Sequence, residues 1–310
     1  MDEVMFRAKP RLPDWLKMKL SPGHAAIETE RILMDLGLET ICHSGKCPNR
    51  NECWSQRNAT FMIMGDRCTR NCSYCSVTYA RPKALDPDEP VKIAEAVRRM
   101  GLKHVVITSV TRDDLGDGGV GHFSEVVNRL KEMDSKLIIE VLTPDFKKNQ
   151  DSAVAELTDC PIDIFNHNIE TVRRLHSFVR PQGGYDVSLQ LLRKMAYARK
   201  RKRYMIKSGA MLGLGESAGE LIELMGDLKK AGCQMVTLGQ YLQSYAGGFK
   251  VVRYVSPDEF EHFRKIGYNV GFLLVESGPF VRSSYHAEDS FVKIKNILRP
   301  QNQKEVSQDA

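Results

Sequence analysis

The sequence predicts an α/β fold, a partial (β/α)6 barrel of TIM type with an extension at each end. Three observations predict it. Short β-rich runs alternate with longer helical ones from about residue 60 onward. The 310 residues exceed a typical small domain but lie within the span of one α/β barrel. An apolar fraction of 42% against 27% charged suits a globular chain able to bury a sizeable core.

Taken in order, residues 1–57 precede the alternation and form an N-terminal extension. The opening carries Asp2 and Glu3 and no uninterrupted apolar stretch, so it reads as neither a secretory signal nor a transit peptide. No apolar run approaches the roughly 18 residues a membrane span needs, and a cytoplasmic location is the expectation. Strand candidates follow at 61–65, 103–110, 136–142, 161–168, 204–212 and 233–241. Helical periodicity fills the gaps, as at 90–101, 187–200 and 218–232. Six such units over 58–256 argue for a parallel partial barrel. Asp117-Gly118-Gly119 and Gly213-Leu214-Gly215 follow strand candidates, where the loops of such a barrel meet substrate. Residues 257–310 stand outside the alternation as a C-terminal extension, whose last ten residues are polar and expected to fray.

Net charge is +6, with a basic run of Arg193, Lys194, Arg199, Lys200, Arg201, Lys202 and Arg203. A solvated helix end accounts for it, and a docking face for an acidic macromolecule is the alternative. Nucleic acid is not expected, because neither a helix-turn-helix, a zinc finger nor interleaved aromatics accompany the run.

Cysteine spacing carries the chemistry. Of eight cysteines, six fall between Cys42 and Cys75. A disulfide framework suits a small secreted domain, not this chain, so metal ligation is the better reading. Cys42, Cys47 and Cys53 form C-x4-C-x5-C, and Cys68, Cys72 and Cys75 form C-x3-C-x2-C. Structural zinc wants four ligands and would need His24 or His43 to complete a triplet. A four-iron cluster held by three thiolates keeps one iron open to an exogenous ligand, which makes it a reaction site. Electron carriers close every iron with cysteine, so a ferredoxin-like carrier is disfavoured. Cys160 and Cys233 belong to neither motif and read as small buried hydrophobes.

C-x3-C-x2-C with Tyr74 just before its last cysteine resembles the signature of the radical S-adenosylmethionine (SAM) superfamily. The stretch G-A-M-L-G-L-G-E at 209–216 resembles its adenine-packing pattern. The resemblance implies that SAM chelates the open iron and is split to a 5′-deoxyadenosyl radical, the protein positioning and shielding that radical.

Both triplets together resemble the lipoyl synthase family. So do C-P-N-R-N-E-C-W at 47–54, T-F-M-I-M-G at 60–65, T-S-V-T-R-D-D-L at 108–115 and E-V-L-T-P-D-F at 140–146. Further along come F-N-H-N-I-E-T-V at 165–172, V-R-P at 179–181, L-G-Q-Y at 238–241 and R-S-S-Y-H-A at 282–287. One departure is S-V-T-Y-A-R-P at 76–82, where the family pattern is C-D-V-x-x-G-R-P counted from the last cysteine.

The resemblance implies insertion of sulfur at C6 and C8 of an octanoyl chain amide-linked to a carrier lysine. Those methylenes are too weakly acidic for any side-chain base, since environment moves a pKa by only about 3–5 units, so a radical must take the hydrogen atom. Two abstractions imply two SAM molecules per product, and the resemblance implies one [4Fe-4S] cluster on each triplet. The first triplet holds the cluster that is the consumed sulfur donor, with Ser283 as its expected fourth ligand. Expected SAM contacts are Tyr74, Thr108, Ser109, Glu140, Asn168, Arg180, Met211 and Gly213, with Gln240 and Tyr241 lining the same cavity. Implied partners are octanoylated lipoyl carrier domains (2-oxoacid dehydrogenase E2 subunits and glycine cleavage H protein), a ferredoxin or flavodoxin type reductant, and iron-sulfur cluster carriers. Biotin synthase fits poorly because it needs no N-terminal triplet. A methylthiotransferase fits poorly because only about 60 residues precede the barrel.

Overall fold

A computed structural model describes residues 11–17, 23–199 and 204–284. Asp2 and Glu3, Lys200 to Arg203, the end of the R-S-S-Y-H-A motif and the polar tail lie outside the described residues.

After a short 3-10 turn at Asp14–Leu16, the N-terminal region is helical: α1 (His24–Asp35), α2 (Ile41–Ser44) and α3 (Arg50–Ser55). The barrel strands are β1 (Thr60–Ile63), β4 (His104–Ser109), β5 (Ile138–Leu142), β6 (Ile164–Asn166), β7 (Met205–Leu212), β8 (Met235–Gln240) and β9 (Leu274–Gly278). They pair in parallel in the order β1-β4-β5-β6-β7-β8-β9. Two short strands, β2 (Arg67–Cys68) and β3 (Thr78–Tyr79), pair separately. Helices α4 (Glu89–Met100), α5 (Val120–Met133), α6 (Gln150–Asp159), α7 (Arg173–Val179), α8 (Tyr185–Ala198), α9 (Ala218–Lys230) and α10 (Pro257–Val270) fill the crossovers.

Local chemistry explains the elements. β1, β6 and β8 are buried along their whole length, as parallel strands covered on both faces must be. α4 starts with a proline in its first turn, buries Ile93, Ala94, Val97 and Met100, and ends on Gly101 in the left-handed region (φ 66°). α9 and α10 each open with a capping box, Ser217 with Glu220 and Ser256 with Glu259.

All six strand candidates are strands. A seventh corrects the boundary at 257: α10 and β9 continue the alternation, and β9 pairs with β8 from Met235↔Leu274 to Gly239↔Gly278. The four-residue apolar run at 272–275 stands outside the six strand candidates, and the β8 edge recruits Leu274–Gly278. On the basic run, Lys194 pairs with Asp151 at 2.7 Å, which favours the solvated-helix explanation for that residue. Cys160 and Cys233 are buried, as read. Among the described residues no helix is long and apolar enough to cross a membrane.

Candidate active site

The chain leaves β1 through two consecutive residues in the left-handed region, Met64 (φ 69°) and Gly65 (φ 91°). The Met64 N–H donates to Glu89 Oε2 at 2.9 Å, and Glu89 also holds buried His122 at 2.6 Å, so the strained turn is tied to α4 and α5. Pairing of β2 with β3 then closes a loop around Cys72 and Cys75. Backbone N–H groups of Arg70 and Thr111 donate to Cys68 Sγ at 3.4 and 3.3 Å. Burial pushes the Cys72 thiol up to about 11 and Cys75 to about 12, so both hold their protons until iron displaces them.

Between Cys68 and Cys72, Arg70 points into the protein, pairing with Asp113 at 2.7 Å and with fully buried Asp145 at 2.8 Å. Asp145 also meets Arg180 at 3.2 Å. Burial alone would raise the Asp145 carboxyl, but the two guanidinium groups bring it down to about 2. Next to them His167 bonds the Thr143 carbonyl and Ser188, and burial with the nearby Arg180 charge lowers it to about 3, leaving it neutral.

The other triplet rides on the N-terminal helices. Cys42 lies in α2, which starts at Thr40, whose hydroxyl accepts from the His43 N–H. Cys53 lies in α3, its N–H donating to the Asn49 carbonyl at 2.9 Å. Burial, reinforced by neighbouring thiols, pushes Cys42 up to about 11 and Cys53 to about 12. Ser76 Oγ donates to the Ser44 carbonyl at 2.7 Å and so ties the two motifs together, at the position where the chain departs from the family pattern.

The segment after β9 turns back into the barrel. Asn49 Nδ2 donates to the Phe280 carbonyl at 2.6 Å. Gly239 admits this segment because any Cβ there would meet the Val281 carbonyl oxygen at 2.1 Å. Ser283, the expected fourth ligand, exchanges hydrogen bonds with Asn168 at 2.7 and 3.0 Å. The Oγ of its neighbour Ser284 accepts from Thr60 Oγ1 at 2.7 Å, and Thr60 in turn hydrogen-bonds Cys42.

One cavity of about 410 Å³ joins these parts. Its wall includes Cys42, Cys47, Cys68, Cys72 and Cys75, and Cys53 stands behind Cys42 and Cys47. Of the expected SAM contacts, Tyr74, Thr108, Ser109, Asn168, Arg180 and Met211 line it, as do Gln240, Tyr241 and both serines. Glu140 and Gly213 do not. Glu140 is turned into the barrel interior, 3.0 Å from Lys207, because an unpaired carboxylate buried there would be costly. Gly213 (φ 94°) is a turn residue whose N–H donates to Glu216 at 2.7 Å.

Glu170 belongs to the F-N-H-N-I-E-T-V stretch but is not among the expected SAM contacts. It lies on the cavity wall in the left-handed region (φ 70°), held by its N–H to the Gly209 carbonyl at 3.0 Å and its carbonyl to the Met211 N–H at 2.8 Å. Burial raises its carboxyl, against the pull of Arg180, Tyr74 and Asn168. A positive φ at a non-glycine residue on a cavity wall points to a functional constraint, and residue spacing alone does not reveal that φ.

The residues fit iron-sulfur clusters and SAM. Free thiols surround a shared cavity, backbone N–H groups already point at one sulfur, and the Ser109 hydroxyl is buried on the wall without a partner. Among the described residues no three His, Cys, Asp or Glu side chains gather closely enough for a single metal ion.

Residues 62–228 match the family model for the radical SAM superfamily. The lipoyl synthase of Chlorobaculum tepidum is 48% identical over 286 residues, covering 92% of this chain and 97% of that protein. That of Caldanaerobacter subterraneus subsp. tengcongensis is 47% identical, covering 90% and 96%. The chain belongs to the lipoyl synthase family. It is a sulfur-inserting lipoyl synthase that uses SAM and [4Fe-4S] clusters. Among solved structures, methylornithine synthase superposes with a TM-score of 0.52 at 16% identity, covering 85% of this lipoyl synthase and 87% of that chain. At that identity the likeness concerns the fold alone.

Proposed function

We propose that this lipoyl synthase inserts sulfur at C6 and C8 of octanoyl-lysine on lipoyl carrier domains, with the two triplets facing each other across the substrate. The observation that carries it is one cavity walled by Cys42 and Cys47 of one triplet and by all three cysteines of the other. Apolar Ile41, Met62, Val77, Val110 and Leu142 share that wall and suit an eight-carbon chain, with methylene burial contributing about 0.8 kcal/mol per CH₂.

Cys68, Cys72 and Cys75 would hold the radical-generating cluster, and Cys42, Cys47 and Cys53 the auxiliary one. When bound, the first supplies the electron that cleaves SAM and the second supplies the sulfur. Arg180, fixed by Asp145, offers its cation to the SAM carboxylate, and Glu170 offers a carboxylate to the SAM ammonium. Tyr74, Thr108, Ser109, Asn168 and Met211 complete the SAM pocket. As the auxiliary cluster's fourth ligand the reading favours Ser284 over Ser283, supported by the Thr60 contact that links Ser284 to Cys42. An oxygen donor is harder than thiolate and holds iron less firmly, which suits a cluster that must give up sulfur.

Residues 1–57 then form the auxiliary unit, the radical barrel runs from 58 through β9, and the segment after Gly278 closes it. E2 subunits and H protein are the proposed acceptors, a ferredoxin or flavodoxin the reductant, cluster carriers the source of new clusters, and the cytoplasm the location.

The test is anaerobic turnover of cluster-loaded enzyme with SAM, reductant and an octanoyl-lysine peptide, read by mass spectrometry. Gain of two sulfurs is expected. Cleavage of SAM with an unchanged peptide would leave the radical half standing and remove the acceptor assignment.

A further inference from the structure

Inside the barrel lies an ion pair that this account of the reaction does not use. Lys207 on β7 and Glu140 on β5 are 2% and 0% exposed. Lys207 Nζ donates to Glu140 Oε1 and Oε2 at 3.0 and 3.2 Å, and Asn166 Nδ2 donates to Oε1 at 2.7 Å. Burying two charges costs desolvation that their attraction barely offsets, and apolar replacement of such a pair is often neutral for stability. A positional role explains the pair better than a stabilising one.

The third contact of Lys207 supplies that role. An ammonium has three protons to give, and beyond Glu140 the Lys207 Nζ donates to the backbone carbonyl of Ser283. That carbonyl is one peptide unit from Ser284. The segment leading to it has little freedom: Asn49 holds Phe280, Gly239 backs Val281, and Asn168 holds the Ser283 side chain. A lysine on a central strand, itself fixed by Glu140, therefore pins the backbone from which the Ser284 side chain reaches Thr60.

We propose that the Glu140–Lys207 pair is an anchor that positions Ser284 at the auxiliary cluster, so that both are positioning residues for sulfur donation and not for SAM. The inference rests on the reading of Ser284 as fourth ligand. A hydroxyl is a poor ligand for iron, and its hold depends on being presented in place, where the ordering cost is already met. Without the anchor the serine segment can drift, and its oxygen competes with water for the iron.

The test loads the full chain with ⁵⁷Fe and compares wild type, Ser284→Ala, Lys207→Met and the double variant Lys207→Met/Glu140→Met. Mössbauer spectra read whether one auxiliary iron is distinct from its thiolate-bound neighbours. Turnover reads 5′-deoxyadenosine and lipoyl product separately. The anchor predicts loss of the distinct iron in Lys207→Met and a fall in product of about tenfold or more, the scale seen when supporting partners of metal ligands are removed. 5′-Deoxyadenosine formation and the SAM-induced spectral change of the barrel cluster should stay as in wild type. If the single variant does not fold, the double variant, which buries no lone charge, carries the same prediction. A distinct iron and normal product in the double variant would overturn the anchor. So would equal loss of both clusters in Lys207→Met, which marks a merely structural role. A distinct iron that persists in Ser284→Ala removes the ligand reading itself, whatever the lysine variants do.

Discussion

The two cysteine triplets are built in opposite ways. Cys68, Cys72 and Cys75 sit in one short loop closed by β2 and β3, with N–H donors for Cys68 from Arg70 and Thr111. Cys42 and Cys53 sit on the short helices α2 and α3, with Cys47 in the turn between them, and the far end of the chain reaches this region by Asn49 to Phe280 across 231 residues and Thr60 to Ser284 across 224. A cluster that must survive each turnover gains from a local, rigid cradle. One that is taken apart gains from a ligand segment that can release and return. Long-range closure is dearer in chain entropy than local closure, so the auxiliary site should be the more easily opened of the two.

Substitutions can break this comparison in order of size. Cys72→Ala should abolish 5′-deoxyadenosine formation and product together, whereas Cys42→Ala should keep SAM cleavage and lose only sulfur insertion. Assay of both products in each variant decides it, and equal loss of SAM cleavage would mean the triplets are not independent. Ser284→Ala should behave as Cys42→Ala does, while Ser283→Ala, which removes only the Asn168 bonds, should retain most product.

Asp145→Asn leaves buried Arg180 against a neutral side chain and takes one of the two carboxylates from Arg70, which keeps Asp113. Removing one partner from a buried charge network costs about 3–5 kcal/mol, and chemical denaturation should show it. The same network makes the barrel loop acid-sensitive. His167 is lowered from 6.5 to about 3 on folding, so the unfolded chain binds its proton first; stability is full above about pH 6.5 and falls as pH drops toward 3. Melting curves between those limits should flatten in His167→Gln, and an unchanged slope would assign the acid sensitivity elsewhere. Ser76→Ala, which cuts the one bond from Ser76 to Ser44, should cost only about 1 kcal/mol and leave turnover nearly intact.

Much of this was legible before any coordinates. Spacing of the cysteines identified both triplets, and the alternation of apolar runs identified six strands to within a few residues. These are local signals, because ligand spacing and strand periodicity depend on near neighbours in sequence. Non-local partners were not legible. Glu140 and Glu170 are each a glutamate in a stretch that resembles the family, yet a long-range contact with Lys207 turns the first into the interior, and a β-bridge to Ala210 with positive φ turns the second onto the cavity wall. Likewise β9, outside the six candidates, takes its place as a strand by pairing with β8.

The sequence by itself determined the cluster chemistry, the barrel and the family, because each is written in residue types at fixed short spacings. The tertiary structure set the surroundings of the two serines and placed Glu170, not Glu140, on the cavity wall. Adjacent residues such as Ser283 and Ser284 differ in direction, and direction is set by Thr60 on β1, Lys207 on β7 and Asn168 in the loop after β6, each more than 70 residues away.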